Sequence, residues 1–454
     1  MTKLDVFLDR QMAGVLEHNP AENRFAFSYS PQWLNNLQRY PLSPHLPLVP
    51  DLDQTPEAHS AAVRHFFENL LPEGRALDEA AAASKVSKSN LVGLMIALGR
   101  ETAGALALHL SRGDDTGTAA NRSLLHARAE RRQLSKGELS DRIKARPYEP
   151  FSVWDGKVRL SIAGYQDKVA VFKESGEWFL VEGNEFASTT ILKPEPLNSN
   201  LAGLTSNEFF CMRLAKNIGL PIATVRLTHV PEPVLEVDRF DRAVEGDMVR
   251  RLHVIDGCQA LGYPPTLKYE RPYGDNPHVK DIRDGVSLPQ LFDMLRNCPN
   301  PAAQRLQLLR WTILQVLIGN TDAHAKNLSF FNDGDGIRLT PAYDLVSILA
   351  FADEKIEGSF AMAIGDAFTE AELTPYEWAH FAHLCGLRPQ LISREMGKIS
   401  TGLLQALPRT QREVILERAD ASMVERVCAT VTRLAERHLS IASEITSVDP
   451  VLFV

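Results

Sequence analysis

The chain carries its most informative set of reactive side chains within residues 318–330, in the run Gly-Asn-Thr-Asp-Ala-His-Ala-Lys-Asn. Asp322 and Asn327 stand there in a D-x-x-x-x-N arrangement. The carboxylate can accept or orient the proton of a hydroxyl nucleophile, and the amide oxygen is a hard ligand for magnesium, as on the catalytic loop of protein kinases. An ordinary helix-to-strand turn is the alternative, because Asn and Asp are both common turn residues.

A second carboxylate, Asp344, follows a short predicted strand over residues 337–339. At a strand end it could be a second magnesium ligand, as the DFG aspartate of kinases is, or it could simply cap the strand.

Between Asn327 and Asp344 lies Asn332-Asp-Gly-Asp-Gly336, which is similar to a calcium loop. The downstream glutamate of such a loop is missing, so we predict a hairpin turn there.

Candidate phosphate ligands lie further upstream. Lys193 ends an apolar strand, where an ammonium facing a cleft suits nucleotide phosphates, and Glu208 on the following helix is its expected ion-pair partner. The loop over 161–168 lies between two predicted strands and contains Gly164. Its backbone N–H groups could cradle phosphate, although it matches neither standard glycine-rich motif. For Lys193 alone, a solvent-facing strand position is the alternative.

Two further clusters have competing interpretations. The segment 236–242, Glu-Val-Asp-Arg-Phe-Asp-Arg, follows the last predicted strand of a β-rich region, where the hinge of a two-lobed kinase would bind adenine through backbone groups. A charged strand-exit loop explains it equally well. Glu377, His380 and His383 are spaced three apart on a predicted helix and could share a face as zinc ligands. No further Cys or His cluster and no H-E-x-x-H motif supports zinc, so we interpret them as partly exposed helix residues.

The elements that must position these residues change character along the chain. Strand periodicity marks the first 40 residues, where Leu4, Val6 and Leu8 alternate. Residues 150–245 are strand-rich with one helix that Ser206 is expected to cap, and the pattern beyond 250 is helical, clearest over 301–318 before Gly319. We therefore predict an α+β fold with an N-terminal subdomain over 1–111, a polar linker over 112–149, a β-rich lobe over 150–248 and a helical lobe over 249–454.

Composition narrows the class of protein. Lys+Arg number 49 against 57 Asp+Glu, a formal charge of −8, which argues against a generally cationic nucleic-acid surface. The five cysteines are scattered without a CxxC pair, as in proteins of a reducing compartment. The apolar stretches are too short to span a bilayer and the acidic N-terminal residues do not fit a secretory signal, so we expect a cytoplasmic protein without a membrane partner.

Taken in order, these motifs resemble the HipA family of bacterial serine/threonine kinase toxins from type II toxin–antitoxin modules. The resemblance rests on Ser161-x-Ala-Gly-x-Gln-Asp-Lys168, Ile191-Leu-Lys-Pro194, Asn207-Glu208, Glu236-x-Asp-Arg-Phe-Asp-Arg242, the run Gly319 to Asn327, and Tyr343-Asp344. It covers nearly the whole chain, since residues 4–9, 25–29, 41–43 and 66–74 are similar to the family's N-terminal subdomain. The chain departs from the family at Val254-Ile255-Asp256, where Gln-Glu-Asp is common, and at Tyr165 and Asp167, where Ala or Val and Glu are usual.

The resemblance implies a two-lobed, protein-kinase-like fold and Mg-ATP-dependent transfer of phosphate to a protein serine or threonine. Asp322 would be the catalytic base, Asn327 and Asp344 would hold Mg²⁺, and Glu208 would pair with Lys193 at the ATP phosphates. The other implied nucleotide contacts are Ala163, Gly164, Tyr165, Gln166, Asp167 and Lys168 in the covering loop, Asp238, Arg239 and Phe240 in the hinge, and His324, Lys326 and Tyr343.

The resemblance also implies autophosphorylation of Ser161, whose added charge beside the nucleotide loop would switch the kinase off. The implied partners are a translation-related protein substrate, such as an aminoacyl-tRNA synthetase, and a small HipB-like DNA-binding antitoxin through which alone the chain would reach DNA. Two alternatives stand beside this hypothesis: a catalytically silent kinase fold that pairs with an antitoxin as co-repressor, and a kinase acting on a small molecule. A silent kinase would be expected to have lost a key residue, and none of Lys193, Asp322, Asn327 and Asp344 is lost.

Overall fold

An antiparallel sheet packed against helices forms the N-terminal region. The structure is a computed structural model that describes residues 1–111, 130–159, 166–182, 186–246, 248–351 and 358–453. The elements here are β1 (Thr2–Leu8), β2 (Gln11–Asn19), β3 (Arg24–Tyr29), α1 (Pro31–Leu34), α2 (Pro56–Glu68), α3 (Gly74–Ser84), α4 (Leu91–Leu98) and β4 (Leu106–Leu110). The strands are ordered β3-β2-β1-β4. Leu4, Val6 and Leu8 are buried, as the predicted strand periodicity requires.

A six-stranded antiparallel sheet forms the centre of the chain. The elements of this region are β5 (Glu130–Leu134), α5 (Lys136–Ala145), β6 (Val153–Trp154), β7 (Lys157–Val158), β8 (Val169–Glu174), β9 (Glu177–Glu182), β10 (Thr190–Pro194), α6 (Leu204–Asn217), β11 (Val225–His229), β12 (Pro233–Asp238), β13 (Arg242–Glu245) and β14 (Met248–Arg251). The large sheet has the order β11-β12-β10-β8-β9-β5. Strand β10, which carries Lys193, is therefore hydrogen-bonded on both sides, so Lys193 stands on a rigid element.

Helices dominate the rest of the chain. The elements are β15 (Val254–Asp256), α7 (Gly257–Leu261), α8 (Leu288–Met294), α9 (Pro301–Ile318), β16 (Ser329–Asp333), β17 (Gly336–Leu339), α10 (Pro375–Leu384), α11 (Pro389–Leu416) and α12 (Ala421–Glu444). Strands β15, β16 and β17 form a small antiparallel sheet, and the β16–β17 turn is the predicted hairpin at 332–336. The α+β architecture of a β-rich lobe followed by a helical lobe is confirmed. Across the described ranges, no helix combines the length and the apolar character needed to cross a membrane.

Helix α9 has the predicted bounds and a clear reason for them. The side chain of Asn300 caps its first turn, and Gly319 ends it in the left-handed conformation with φ of 69°. Residues 311–318 are buried around the whole circumference of the last two turns, beyond the single apolar stripe that the sequence predicted. The helix is therefore a rigid support for the segment that follows it.

Two local expectations need correction. The linker was predicted to contain only a short helix, and that helix is α5, but residues Glu130–Leu134 before it form the edge strand β5, whose Arg131 lies 3.9 Å from the Phe179 ring centroid. Charged side chains suit an edge strand, and the polar sequence therefore concealed it. Ser206 does not cap α6, because the helix begins at Leu204 and the Glu195 carboxylate accepts the N–H groups of Leu204 and Thr205.

The buried His438 predicts an acid-sensitive contribution to stability. Its Nδ1–H donates to the Leu434 carbonyl (2.8 Å), and burial lowers its pKa from 6.5 to about 4. The folded ring therefore stays neutral while the unfolded ring takes up a proton below pH 6.5, so stability is lost as pH falls from 6.5 towards 4. At pH 5 the loss is about 2 kcal/mol, at roughly 1.4 kcal/mol per pKa unit.

We expect His438→Leu to remove this part of the pH dependence. Urea unfolding at pH 7.5 and pH 5.0 measures it, and the free energy of unfolding should fall less in the variant than in the wild type. The same substitution at the exposed His278 is the control and should leave the decline unchanged. An equal decline in wild type and His438→Leu would contradict the assignment.

Candidate active site

A cleft between the central sheet and the helical lobe collects most of the predicted site residues. Its walls come from β10, β12, α6, the segment after α9 and the residues that follow α2. The predicted residues that line this central cleft are Lys168, Lys193, Glu208, Asp238, Arg239, Phe240, His324, Lys326, Asn327, Tyr343 and Asp344. Asp322 stands at its edge, with its carbonyl oxygen accepting a hydrogen bond from the Asn327 amide (3.0 Å).

A buried lysine in the cleft joins three distant segments. Lys193 Nζ lies 2.7 Å from Glu208 Oε1 on α6 and 2.6 Å from Asp344 Oδ1 in the loop after β17. Burial alone would lower the pKa of Lys193, but the two carboxylates outweigh it and raise that pKa. Burial would raise the pKa of Asp344, yet Lys193 and Lys168 lower it to about 2. At neutral pH the cleft therefore holds a fixed cation against a fixed anion.

Asp344 occupies a strained backbone position. Its φ is 57°, a left-handed conformation that costs a non-glycine residue about 1 kcal/mol or more. The preceding Tyr343 is held by its hydroxyl, which donates to the Lys326 carbonyl (2.8 Å), and Leu345 after it is buried. The neighbours thus keep the Asp344 carboxylate on the Lys193 ammonium.

The segment after α9 is folded back on itself by two side-chain amides. Asn320 Oδ1 accepts the N–H of Asp322 (3.2 Å), and Asn327 Nδ2 donates to the Asp322 carbonyl oxygen. This bond uses the amide nitrogen of Asn327, so the amide oxygen is the atom that can bind a metal. Together with the Asp344 carboxylate it makes a pair of hard oxygen donors, the type that Mg²⁺ prefers.

The Asp322 carboxylate is oriented by a residue that the sequence did not suggest. Tyr269 donates its hydroxyl to Asp322 Oδ1 at 2.7 Å. Asp322 is an exposed residue, and desolvation by the neighbouring protein raises its pKa against the opposing effects of Tyr269 and Lys268. A carboxylate with a raised pKa is a stronger proton acceptor than an ordinary aspartate, which suits a general base.

The predicted hinge residues line the cleft with most of their polar groups engaged. Arg239 is buried and its guanidinium pairs with Asp241 (2.7 Å), while Asp238 is paired with Arg226 (2.8 Å). The main-chain N–H groups of Asp238 and Arg239 donate to the Thr224 and Thr189 carbonyls (both 2.9 Å). The Phe240 ring packs on the Tyr343 ring with centroids 5.5 Å apart. Engaged polar groups beside apolar wall residues leave this end of the cleft suited to a flat, weakly polar group.

The opposite end of the cleft depends on the N-terminal region. Lys326 Nζ is buried and donates to Asn69 Oδ1 (2.8 Å) and to Asp256 Oδ2 (2.7 Å). Lys268 Nζ pairs with Glu73 Oε2 (2.6 Å), and the other oxygen of Glu73 lies 3.5 Å from Lys326 Nζ. One carboxylate from the segment between α2 and α3 therefore holds two lysines of the cleft.

Sequence reasoning missed these residues for an identifiable reason. Asn69, Glu73, Lys268 and Tyr269 meet the catalytic segment only through contacts about 50 to 260 positions apart in the chain. No periodicity or spacing marks such pairs. The family resemblance over 66–74 was the available signal, because it placed those residues in a similar region without giving them a role.

Several predicted residues lie elsewhere. Ser161, Ala163, Gly164 and Tyr165 fall outside the described residues. The remaining residues of the covering loop are engaged, with Gln166 Nε2 donating to the Pro194 carbonyl (3.0 Å) and Asp167 paired with Arg146 (3.3 Å). The residues weighed for zinc are partly or fully exposed on α10, as interpreted from the sequence, and they do not group as a trio, since His383 stacks on Phe453 while Asp366 joins Glu377 and His380. Asp366 is already paired with Arg283 (2.6 Å).

Three features define a protein kinase. The chain has two lobes, Lys193 pairs with the helix carboxylate of Glu208, and Asp322 lies in the loop that follows α9. Comparison with known proteins gives the particular family. The HipA N-terminal domain model matches residues 4–109 and the HipA-like C-terminal domain model matches residues 160–407. The chain belongs to the HipA family.

Individual relatives match this chain in sequence or structure over most of its length. It is 36% identical to the serine/threonine-protein kinase toxin HipA of Shewanella oneidensis, over 98% of each chain. It is 33% identical to the Y4mE protein of Sinorhizobium fredii, over 89% of this chain and 91% of that one. The solved Shewanella oneidensis HipA, from a complex with HipB and operator DNA, superposes with a TM-score of 0.83 at 35% identity, covering 98% of this chain and 100% of that chain.

The contact of Glu73 with Lys268 and Lys326 predicts that the N-terminal region supports activity. Glu73→Gln keeps the shape of the side chain but removes the charge that anchors Lys268 and Lys326. We expect phosphoryl transfer to fall about tenfold, the equivalent of 1.4 kcal/mol in the barrier. Initial rates with radiolabelled ATP measure this effect.

Glu68→Gln is the matched control, because Glu68 is the last residue of α2, five positions before Glu73, and it pairs with Arg64 (3.8 Å). It should retain the wild-type rate. Wild-type rates in Glu73→Gln would show that the two lysines need no anchor from the N-terminal region.

Proposed function

We propose that this protein is a Mg-ATP-dependent serine/threonine kinase that acts as the toxin of a HipA/HipB-like toxin–antitoxin pair. The observation that carries the proposal is the buried contact of Lys193 with both Glu208 and Asp344 beside Asp322. A phosphate-binding lysine, its helix carboxylate and a metal-binding aspartate are the parts that kinases must assemble before transfer. A silent binding protein has no need to keep this costly set of buried charges together.

The two ends of the central cleft fit the two ends of ATP. Adenine suits the hinge end, where Asp238 to Phe240 and the apolar Ile191 and Val237 line the cleft. The triphosphate suits the opposite end, where Lys168, Lys193 and Lys326 converge. Lys168 and Lys193 set ammonium groups against a tri- or tetra-anion, while Lys326 is held by Asn69 and Asp256, so the binding energy has an electrostatic part.

The chain's own residues would divide the chemistry in the following way. Asp322, oriented by Tyr269, accepts the proton of the attacking hydroxyl. Lys193 neutralises the phosphates and is kept in place by Glu208. Asn327 and Asp344 supply oxygen ligands for Mg²⁺, which when bound would neutralise the charge that develops on the phosphate oxygens.

The acceptor is proposed to be a serine of a translation-related protein, and the partner a small HipB-like antitoxin that carries the contact with DNA. The support is the similarity to a kinase toxin solved with HipB and operator DNA. Autophosphorylation of Ser161 is proposed as the off-switch. The added charge would stand at the start of the loop that ends at the buried Lys168.

Replacing the proposed base tests the assignment directly. Asp322→Asn keeps the size and the Tyr269 contact but cannot take up the hydroxyl proton. We expect transfer to fall at least about a hundredfold, the lower range for loss of a general base, with no change in melting temperature or ATP affinity. Peptide mass spectrometry after incubation with Mg-ATP should find phosphate on Ser161 in the wild type only.

Asp335→Asn is the control, because Asp335 is exposed in the β16–β17 turn. It should autophosphorylate as the wild type does. Undiminished transfer by Asp322→Asn would remove Asp322 from the catalytic role.

The lowered pKa of Lys168 predicts that ATP binding depends on pH. Burial and the charge of Lys193 lower the pKa of Lys168 to about 8, so without ligand it loses its proton between pH 7 and pH 9. Bound phosphates favour the protonated form, so affinity should weaken as pH rises through 8 and binding at pH 8 should take up protons. Titration calorimetry at pH 8 in two buffers of different ionisation enthalpy measures the uptake.

Lys168→Met should bind ATP more weakly and without this proton uptake. Lys173→Met, on the strand β8 that begins directly after Lys168 but paired with Glu236, is the control and should keep the uptake. Equal proton uptake in Lys168→Met and the wild type would show that another group titrates.

A further inference from the structure

A second cavity lies against helix α9 and shares part of its wall with the central cleft. This α9 cavity has a volume of about 230 Å³. Its lining comes from one face of α9, from the loop over 219–222 after α6, and from residues 327–329 and 339–343. The residues that line both the α9 cavity and the central cleft are Asn327, Ser329 and Tyr343. A molecule in one cavity therefore contacts residues that also face the other.

The lining of the α9 cavity is mostly apolar, and its single charge is paired. Arg310 is the one charged residue among the lining residues, all of which the structure describes, and its Nε donates to Glu395 Oε2 on α11 (2.8 Å). An ion would lose hydration here without gaining a free counter-charge, so the lining suits a neutral molecule. A cavity of about 150 Å³ is enough to hold benzene, so the α9 cavity can take a molecule of one or two rings. Its apolar residues include Leu220, Ile222, Leu306, Leu314 and Leu339.

The wall of the α9 cavity includes a hydrogen-bond donor, the indole of Trp311. Trp311 is 6% exposed, and among the described residues no acceptor bonds to its buried Nε1–H. A buried polar group without a partner is unfavourable, so a bound molecule that offers an acceptor gains by pairing with it. The lining therefore favours a neutral ring compound that carries a hydrogen-bond acceptor.

One wall of the α9 cavity ends at the proposed metal ligand Asp344. Residues 339–343 lead directly into Asp344, whose carboxylate pairs with Lys193. Within this wall the Tyr343 hydroxyl lies 2.7 Å from Ser329 Oγ. A molecule packed against this wall restricts the residues that set the position of the Asp344 carboxylate.

A second wall leads back to the other partner of Lys193. The loop over 219–222 comes just after α6, the helix that carries Glu208. This loop is joined to the first wall, because Ala342 N–H donates to the Pro221 carbonyl (2.9 Å). The α9 cavity therefore lies where the continuations of both Lys193 partners meet.

We propose that the α9 cavity is an effector site, which binds a small neutral ring compound with a hydrogen-bond acceptor and thereby strengthens nucleotide binding in the central cleft. A molecule that fills the cavity favours the arrangement in which the cavity is formed. In that same arrangement Lys193 contacts Glu208 and Asp344. Ligands that favour one arrangement strengthen each other's binding. The effect on the nucleotide rests on the proposed function, whereas binding of the ring compound does not.

Fluorine NMR titration of the full chain with 6-fluoroquinoline tests the site. Ala303 lines the cavity and the neighbouring Ala302 does not, and both are exposed in the first turn of α9. Ala303→Trp places a large ring at the cavity, and Ala302→Trp is the matched control. Leu306→Trp, one turn further along α9, is a second blocking variant. Nucleotide affinity is measured by calorimetry with Mg²⁺ and the non-hydrolysable analogue AMP-PNP, and melting temperature is measured for every variant.

We expect the wild type and Ala302→Trp to bind 6-fluoroquinoline saturably. Ala303→Trp should bind it at least about tenfold more weakly, because the new ring takes up the space that the probe needs. Saturating 6-fluoroquinoline should tighten the affinity for Mg-AMP-PNP at least about fivefold, and the nucleotide should tighten the affinity for 6-fluoroquinoline by the same factor. The anion 6-fluoroquinoline-4-carboxylate should bind more weakly than the neutral probe. Leu306→Trp carries the test if Ala303→Trp fails to fold.

Several outcomes overturn the proposal at different levels. The absence of saturable binding, or equal binding by Ala303→Trp and Ala302→Trp, would exclude the α9 cavity as the site of the probe. Tighter binding of the carboxylate would contradict the neutral class of ligand. Binding of 6-fluoroquinoline with unchanged nucleotide affinity would remove the effector role and leave the kinase assignment intact. The absence of nucleotide binding would remove the proposed function, and the effector role with it.

Discussion

The contact of Lys193 with Glu208 and Asp344 is the interaction on which the rest of the structure depends. It joins the central strand of the sheet to helix α6 and to the loop after β17, with Lys193 and Glu208 buried and Asp344 partly exposed. Removing one member of the buried Lys193–Glu208 pair leaves an uncompensated charge, which typically costs about 3–5 kcal/mol. The two lobes are therefore coupled through the same groups that would meet the phosphates. The strained φ of Asp344 is tolerated because this ion pair offsets its cost.

The N-terminal region belongs to the site because it contacts both ends of the central cleft. At the end proposed for the phosphates, Glu73 and Asn69 hold Lys268 and Lys326. At the end proposed for the hinge, Gly104 N–H donates to Asp241 (2.7 Å), the carboxylate that pairs with Arg239. A side chain at Gly104 would lie 2.9 Å from the Val254 backbone, and its φ is 75°, so only glycine fits there. The β-rich and helical lobes alone would leave the lysines and the hinge without these partners.

The sequence predicted the parts of the site that local rules govern. Helix α9 follows from its apolar periodicity and Gly319, and the Lys193–Glu208 pair follows from a strand end next to a helix. The start of α6 was misjudged because its cap comes from Glu195, a residue outside the local window in which a serine cap is sought. Tyr269 could not be predicted, because nothing near position 269 indicates that its hydroxyl reaches Asp322. Long-range pairs of this kind are fixed by packing, which no spacing rule records.

The position of Asp322 explains why its neighbours are arranged as they are. The proposed base must keep its position while two reactants bind beside it. Asn320 accepts the Asp322 N–H and Asn327 donates to the Asp322 carbonyl oxygen, while Tyr269 donates to the Asp322 carboxylate. The main chain and the side chain of Asp322 are therefore held by separate partners. A base held in this way loses little entropy when both reactants bind, which is how positioning lowers a barrier.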